Sequence, residues 1–299
     1  MLTVAALAGE GLGRALREDF LSIFGHKEEE LGHALGTVAR LVLEMIGRSN
    51  ALYHNLEHTM LVTLAGRDIL RGRILLEPVS ANDWAHFLLA CVTHDVGFVR
   101  GALAGDSATE FVINASGDRV SLPRGASDAA LAPYHVDRSK MFVRERLGQR
   151  KLFDLDPDRI AAAIEFTRFP VASTETTDNQ PLEGLLVRAA DLVGQLGDPN
   201  YLRKANALYW EFYETGIAAH LGYHSPADVI ESYPEFFWRA AHPHIRIAER
   251  YLEVTDSGRG WLAHLESNVS RAGRASWHGP TVPEGKTGTA DLRDSAPPR

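Results

Sequence analysis

The chain has 299 residues, 45% hydrophobic and 23% charged, enough for one large core and ordinary for a soluble globular protein. Its formal net charge of -8 excludes the basic surface that a long nucleic acid needs, while a small anionic ligand held by local Arg or Lys stays open. One cysteine, Cys91 in the run Phe87-Leu88-Leu89-Ala90-Cys91-Val92, excludes an intrachain disulfide framework and a Cys-based metal motif, and reads as a small buried hydrophobe in a reducing cytoplasm.

The first residues, Met1 to Ala8, are mildly apolar but lack a basic region, so no signal peptide is expected. No run approaches the ~20 apolar residues that span a bilayer, and no membrane partner is expected. Residues 10–48 read as two helices, the second with apolar positions at i, i+3, i+4 and i+7 through Val38–Ile46 and a stop at Gly47. Tyr53-His54-Asn55-Leu56-Glu57-His58 then runs into Met60, Leu61, Val62, Leu64 and Ala65, which predicts another helix. An apolar helix over 82–96 follows, with Gly97 as its C-cap.

Residues 100–133 are rich in Gly, Ser, Asp and Pro. Glu110–Asn114 and Arg119–Leu122 flank Ser116-Gly117-Asp118, which predicts a β-hairpin inside an insertion that is either a lid or surface decoration. Helices resume over 139–147, from Asp156-Pro157 with Asp at the N-cap and Pro at N1, and over 183–196. Further helices are expected over 200–221, 226–241, 244–255 and 260–271. From about Ala272 the composition predicts a disordered tail, 272–299. The expectation is therefore an all-α chain, with one domain over 1–271.

Three polar features interrupt this apolar pattern. His54 and His58 are spaced to lie on one helix face, where two imidazoles can reach one site. His94-Asp95 ends an almost wholly apolar helix. A buried carboxylate needs a partner, which is a cation, an arginine or a helix cap, and His94 is either a ligand or a satisfied core histidine. Asp191 sits within Leu185–Val193, with Val187, Gly194 and Gln195 at helical spacing. It faces a polar site or pairs with Arg188 or Lys204.

Taken together, a His, a His-Asp dyad and a distant Asp follow the ligand order of the HD superfamily, which this chain resembles over about residues 35–255. Tyr53-His54-Asn55-Leu56-Glu57-His58 is similar to the Tyr-His-Asn-x-x-His element of cyclic nucleotide phosphodiesterases. Thr93–Gly97 and Ala190-Asp191-Leu192 resemble the dyad and last-ligand segments. The resemblance implies an HD-type helical bundle in which His58, His94, Asp95 and Asp191 hold a divalent metal, Zn, Fe, Mn or Mg, with Asp95 bridging to a second ion. It implies His54 as general acid in hydrolysis of a small phosphate ester, most readily a cyclic nucleotide. Phe98 stands where the family's His-Asp-x-x-His pattern has its second His.

His135, Arg138, Asn55 and Gln195 are the candidates for contacts to substrate or around the metal, with Arg138 as a phosphate clamp. Asp128 reaches the site only if the insertion folds back, and His220, His224 and the Tyr209–Tyr213 aromatics read as structural. The alternative functions are a di-iron oxygenase of the same superfamily, or a non-catalytic nucleotide-sensing domain.

Overall fold

Apolar periodicity dominates the chain, and helices dominate the computed structural model, which describes residues 2–148, 155–170 and 180–275. The fold is all-α with one two-stranded sheet. Helices α1 (Val4–Phe24) and α2 (Glu29–Ile46) form an antiparallel pair. They cross where Gly13 meets Gly36, and a Cβ on Gly13 would lie 2.4 Å from the Gly36 carbonyl oxygen. Only glycine permits that backbone approach.

The centre is built from α3 (Leu56–Leu76), α4 (Ala81–Thr93) and α7 (Leu182–Leu196). A Ser80/Asp83 capping box opens α4, and every residue from Trp84 to Thr93 is buried. Close packing again relies on small residues. A Cβ on Gly194 of α7 would sit 2.6 Å from the Val62 Cα of α3. Gly66 of α3 receives the buried Cys91 of α4 in the same manner. Around this centre lie α5 (His135–Gly148), α6 (Pro157–Ile164), α8 (Tyr201–Glu214), α9 (Ile217–Leu221), α10 (Pro226–Phe236), α11 (His242–Leu252) and α12 (Asp256–Ala275).

Several boundaries differ from expectation for local reasons. Gly97 does not cap α4. His94 takes that place, and Gly97 lies in a 3₁₀ turn, Val96–Phe98, pressed against the start of α5. A Cβ there would fall 2.0 Å from the His135 carbonyl oxygen. The span 200–221 breaks into α8 and α9 at Gly216, whose φ of 79° is a left-handed conformation that glycine adopts without strain. The last turn of the span 226–241 is a π-helix, Phe237–Ala241. The final helix continues to Ala275, past the expected break at Ala272, and the rest of the expected tail lies outside the described residues.

The hairpin forms as predicted, β1 (Glu110–Val112) pairing antiparallel with β2 (Arg119–Ser121). Arg138 anchors the insertion that carries it. Its guanidinium is fully buried and donates to both Asp106 carboxylate oxygens, at 3.1 and 2.9 Å, and to the carbonyls of Gly97, Val99 and Val112. The expected phosphate clamp is therefore a strut: its fork is committed to the insertion, with no face left for a ligand. Asp128 is likewise structural, paired with Arg100 at 2.9 Å, and the insertion does not bring it to the site.

Candidate metal centre

Three central helices and one turn bring the four expected ligands together. His58 lies in the first turn of α3, His94 caps α4, Asp95 follows it, and Asp191 lies on α7. His58 Nε2 is 3.2 Å from Asp95 Oδ2 and 3.4 Å from Asp191 Oδ1. His94 Nε2 is 3.2 and 3.6 Å from the same two atoms. Donor atoms around a tetrahedral cation with bonds of ~2.1 Å stand ~3.4 Å apart, the spacing seen here. His94 Nε2 and Asp95 Oδ2 are buried and make no hydrogen bond. Buried polar atoms are rarely left so, and a shared cation would satisfy both.

The tautomer of His94 agrees. Its Nδ1 lies 2.8 Å from the Cys91 carbonyl oxygen and donates to it, which leaves Nε2 as the lone-pair nitrogen. Burial raises the Asp95 and Asp191 carboxyls, but the His94 and His58 imidazoles outweigh it and hold both well below the ordinary carboxylate range. Burial lowers His94, yet the same two carboxylates hold it well above its usual value. The alternative partners for Asp191 are engaged elsewhere. Arg188 Nε donates to the Phe166 carbonyl, and Lys204 pairs with Asp198 and Glu57.

His54 is close by but not on the helix. Asn55 is the N-cap of α3, accepting from the backbone N–H groups of Glu57 and His58 at 2.9 and 3.4 Å. So His54 precedes the helix, and the shared-face argument does not apply to it. It still stands beside His58, with ring centroids 5.4 Å apart. Asn55 spends its Nδ2 on the Leu52 carbonyl and so serves the helix end rather than a substrate.

Glu211 of α8 is the site residue that sequence reasoning missed. His54 Nδ1 lies 2.5 Å from Glu211 Oε2, and the backbone N–H groups of Tyr53 and His54 donate to Oε1 at 2.6 and 3.2 Å. Burial lowers the His54 imidazole, but Glu211 more than offsets this and raises it to about 9. A signal was present: Glu211 is the one acid inside the aromatic run Tyr209–Tyr213, and a carboxylate there demands a partner.

Phe98 stacks on the His54 ring, with centroids 4.6 Å apart at 12°, and on the His135 ring on its other side, 4.5 Å apart at 25°. His135 opens α5 with Nδ1 donating to the Ala132 carbonyl and Nε2 3.8 Å from Asp95 Oδ1. It therefore stands beside the Asp95 carboxylate. Burial pushes its imidazole down. Gln195 lines the same cavity. That cavity, about 770 Å³, opens from His54, His58, Asp95 and Asp191 outward between α7, α8, α9 and α10.

No helix among the described residues is long and apolar enough to cross a membrane. No curated protein and no solved structure matches the chain. A family model, described as Npun_R2479-like, matches residues 3–275, and the chain belongs to that family.

Proposed function

We propose that this Npun_R2479-like chain is a metal-dependent phosphohydrolase of the HD type that cleaves a phosphate ester of a small molecule, in the reducing cytoplasm that its buried free thiol suits. The observation that carries this reading is the convergence of His58, His94, Asp95 and Asp191 at 3.2–3.6 Å, beside a histidine primed by Glu211. Two imidazoles and two carboxylates suit Zn, Fe, Mn or Mg, and a divalent ion held by them supplies Lewis acidity toward water and a phosphoryl oxygen.

The chain's own groups account for the rest of the chemistry. His54 is raised to about 9 and so carries a proton at neutral pH. Glu211 holds Nδ1, which leaves the other nitrogen to face the reacting ester. As the water oxygen bonds to phosphorus, the bond from phosphorus to the ester oxygen breaks and His54 delivers its proton to that oxygen; the proton that the water loses passes to solvent, from which His54 is reprotonated. Glu211 stabilises the imidazolium before transfer and fixes the ring plane.

Metal analysis of the purified protein, with a hydrolysis screen over phosphate mono- and diesters, tests the reading. His94→Ala is expected to lose both metal and turnover. His54→Ala is expected to keep the metal and lose turnover, most severely for poor leaving groups. A purified protein that holds no divalent metal and gains no activity when supplied with one would end this reading.

A further inference from the structure

The cavity is far larger than a phosphate group, and its outer wall bears on what the phosphate is attached to. That wall comes from α8, α9, α10 and the stretch 167–170, and it is made chiefly by Phe169, Phe212, Ile217, Leu221, Val229 and Phe236. Phe169, Ile217 and Leu221 are also 42%, 38% and 48% exposed, so apolar surface runs unbroken from interior to rim. Single exposed apolar side chains are ordinary, but a continuous set lining a concave site marks a ligand surface.

Most polar groups on that wall are already paired with each other. The Tyr223 and Ser232 hydroxyls bond at 2.6 Å. Thr215 donates to the Glu211 carbonyl. Arg168 at the edge is held by Glu165 and Asp137. His220, at the exposed rim, is the exception. A nucleobase carries donors and acceptors along its edge and would lose hydrogen bonds to water on entering such a wall. Nor does the Tyr-His-Asn-x-x-His element read a base: His54 pairs with Glu211, Asn55 caps α3 and His58 joins the metal centre.

We infer that the scissile phosphate is esterified to a hydrophobic alcohol, whose alkyl chain or aryl ring lies along α8, α9 and α10 while the phosphate sits over the metal centre. This rests on the phosphohydrolase reading above. Water oxygen bonds to phosphorus, the bond from phosphorus to the alcohol oxygen breaks, and that oxygen leaves with the proton from His54 as the free alcohol; the water keeps one proton on the phosphate and loses the other to solvent, from which His54 is reprotonated. Apolar burial gives ~0.8 kcal/mol per methylene, so kcat/KM rises about fourfold with each added methylene that the wall covers.

The test uses the full chain as purified, with its metal content measured. Hydrolysis is followed for methyl, butyl, hexyl and decyl phosphate, their methyl diesters, and cyclic and linear nucleotides. Calorimetric binding of the matching alkyl phosphonates, which cannot be hydrolysed, is measured alongside. Activity and affinity both rising with chain length is the expected result. Leu221→Asp and Phe236→Ser are each expected to reduce the decyl-to-methyl ratio by tenfold or more. Flat affinity across the phosphonates, or nucleotides preferred over decyl esters, overturns the inference and leaves the phosphohydrolase reading standing. Phosphonate affinity that climbs with length while no ester of any kind is cleaved overturns the phosphohydrolase reading, and the scissile ester inferred here with it.

Discussion

Glu211→Gln is the sharpest probe of the centre, because it removes one charge and keeps the shape. Glutamine can still accept the Tyr53 and His54 backbone N–H groups that Oε1 now accepts at 2.6 and 3.2 Å. What it loses is the carboxylate facing His54 Nδ1 at 2.5 Å. Burial alone lowers His54, and Glu211 is the main reason that it stands at about 9 rather than its ordinary 6.5. Without the carboxylate the value falls toward 6.5, and at pH 8 the protonated fraction drops from ~0.9 to ~0.03, about thirtyfold. The kcat for an alkyl ester at pH 8 should fall by about that factor, and its alkaline limb should move from near pH 9 toward pH 6–7. An ester with a good leaving group, such as p-nitrophenol, needs no proton and should be nearly unaffected. The metal content should not change. An alkaline limb that stays in place, or equal losses for both esters, would refute the role given to this pair.

The same pair ties stability to pH. A raised histidine stabilises the fold fully below the unfolded value, and the contribution is lost as pH rises through the folded one. The His54–Glu211 pair, with His54 22% exposed, should therefore contribute on the order of 3 kcal/mol below about pH 6.5 and lose it by pH 9 to 10, a decline that urea titrations should show reduced in Glu211→Gln. Chelation should lower Tm, since an ion present at a hundred times its Kd stabilises by ~2.7 kcal/mol; a Tm indifferent to chelator would argue against an ion among these four ligands. Arg138→Ala should destabilise by ~3–5 kcal/mol by leaving the buried Asp106 unpaired, and whatever folded protein remains should keep its KM, as a phosphate clamp would not. Gly97→Ala should disturb the start of α5 and with it His135, and a fully stable variant with unchanged metal affinity would show that the 2.0 Å approach to the His135 carbonyl relaxes freely.

The features legible in the sequence were those with a local cause. Apolar spacing marks α2, which buries one broad face, and nearly unbroken apolar runs mark α4 and α7, which are buried almost all round; His94, Asp95 and Asp191 stand out as interruptions of those runs. Asp156-Pro157 announced α6 through capping chemistry alone. What escaped depends on partners far away along the chain. Glu211 meets His54 across 157 positions, and Arg138 finds Asp106 inside an irregular insertion. Neither pairing has a local signature. Asn55 is different, since it is a favoured N-cap residue three positions before His58; that rule alone places His54 ahead of the helix. The cavity wall could not be read at all, because it is made jointly by residues of α8, α9 and α10 and the stretch 167–170, which no local pattern brings together.

Phe98 has a consequence for how protons are shared in this centre. Its phenyl ring lies face to face with two imidazoles, one favouring the protonated form and the other the neutral form. In direct contact, two such rings would trade a single proton and behave as one titrating unit. With a hydrocarbon plate between them no proton passes directly from one ring to the other, and the charge that His54 carries helps to keep His135 neutral.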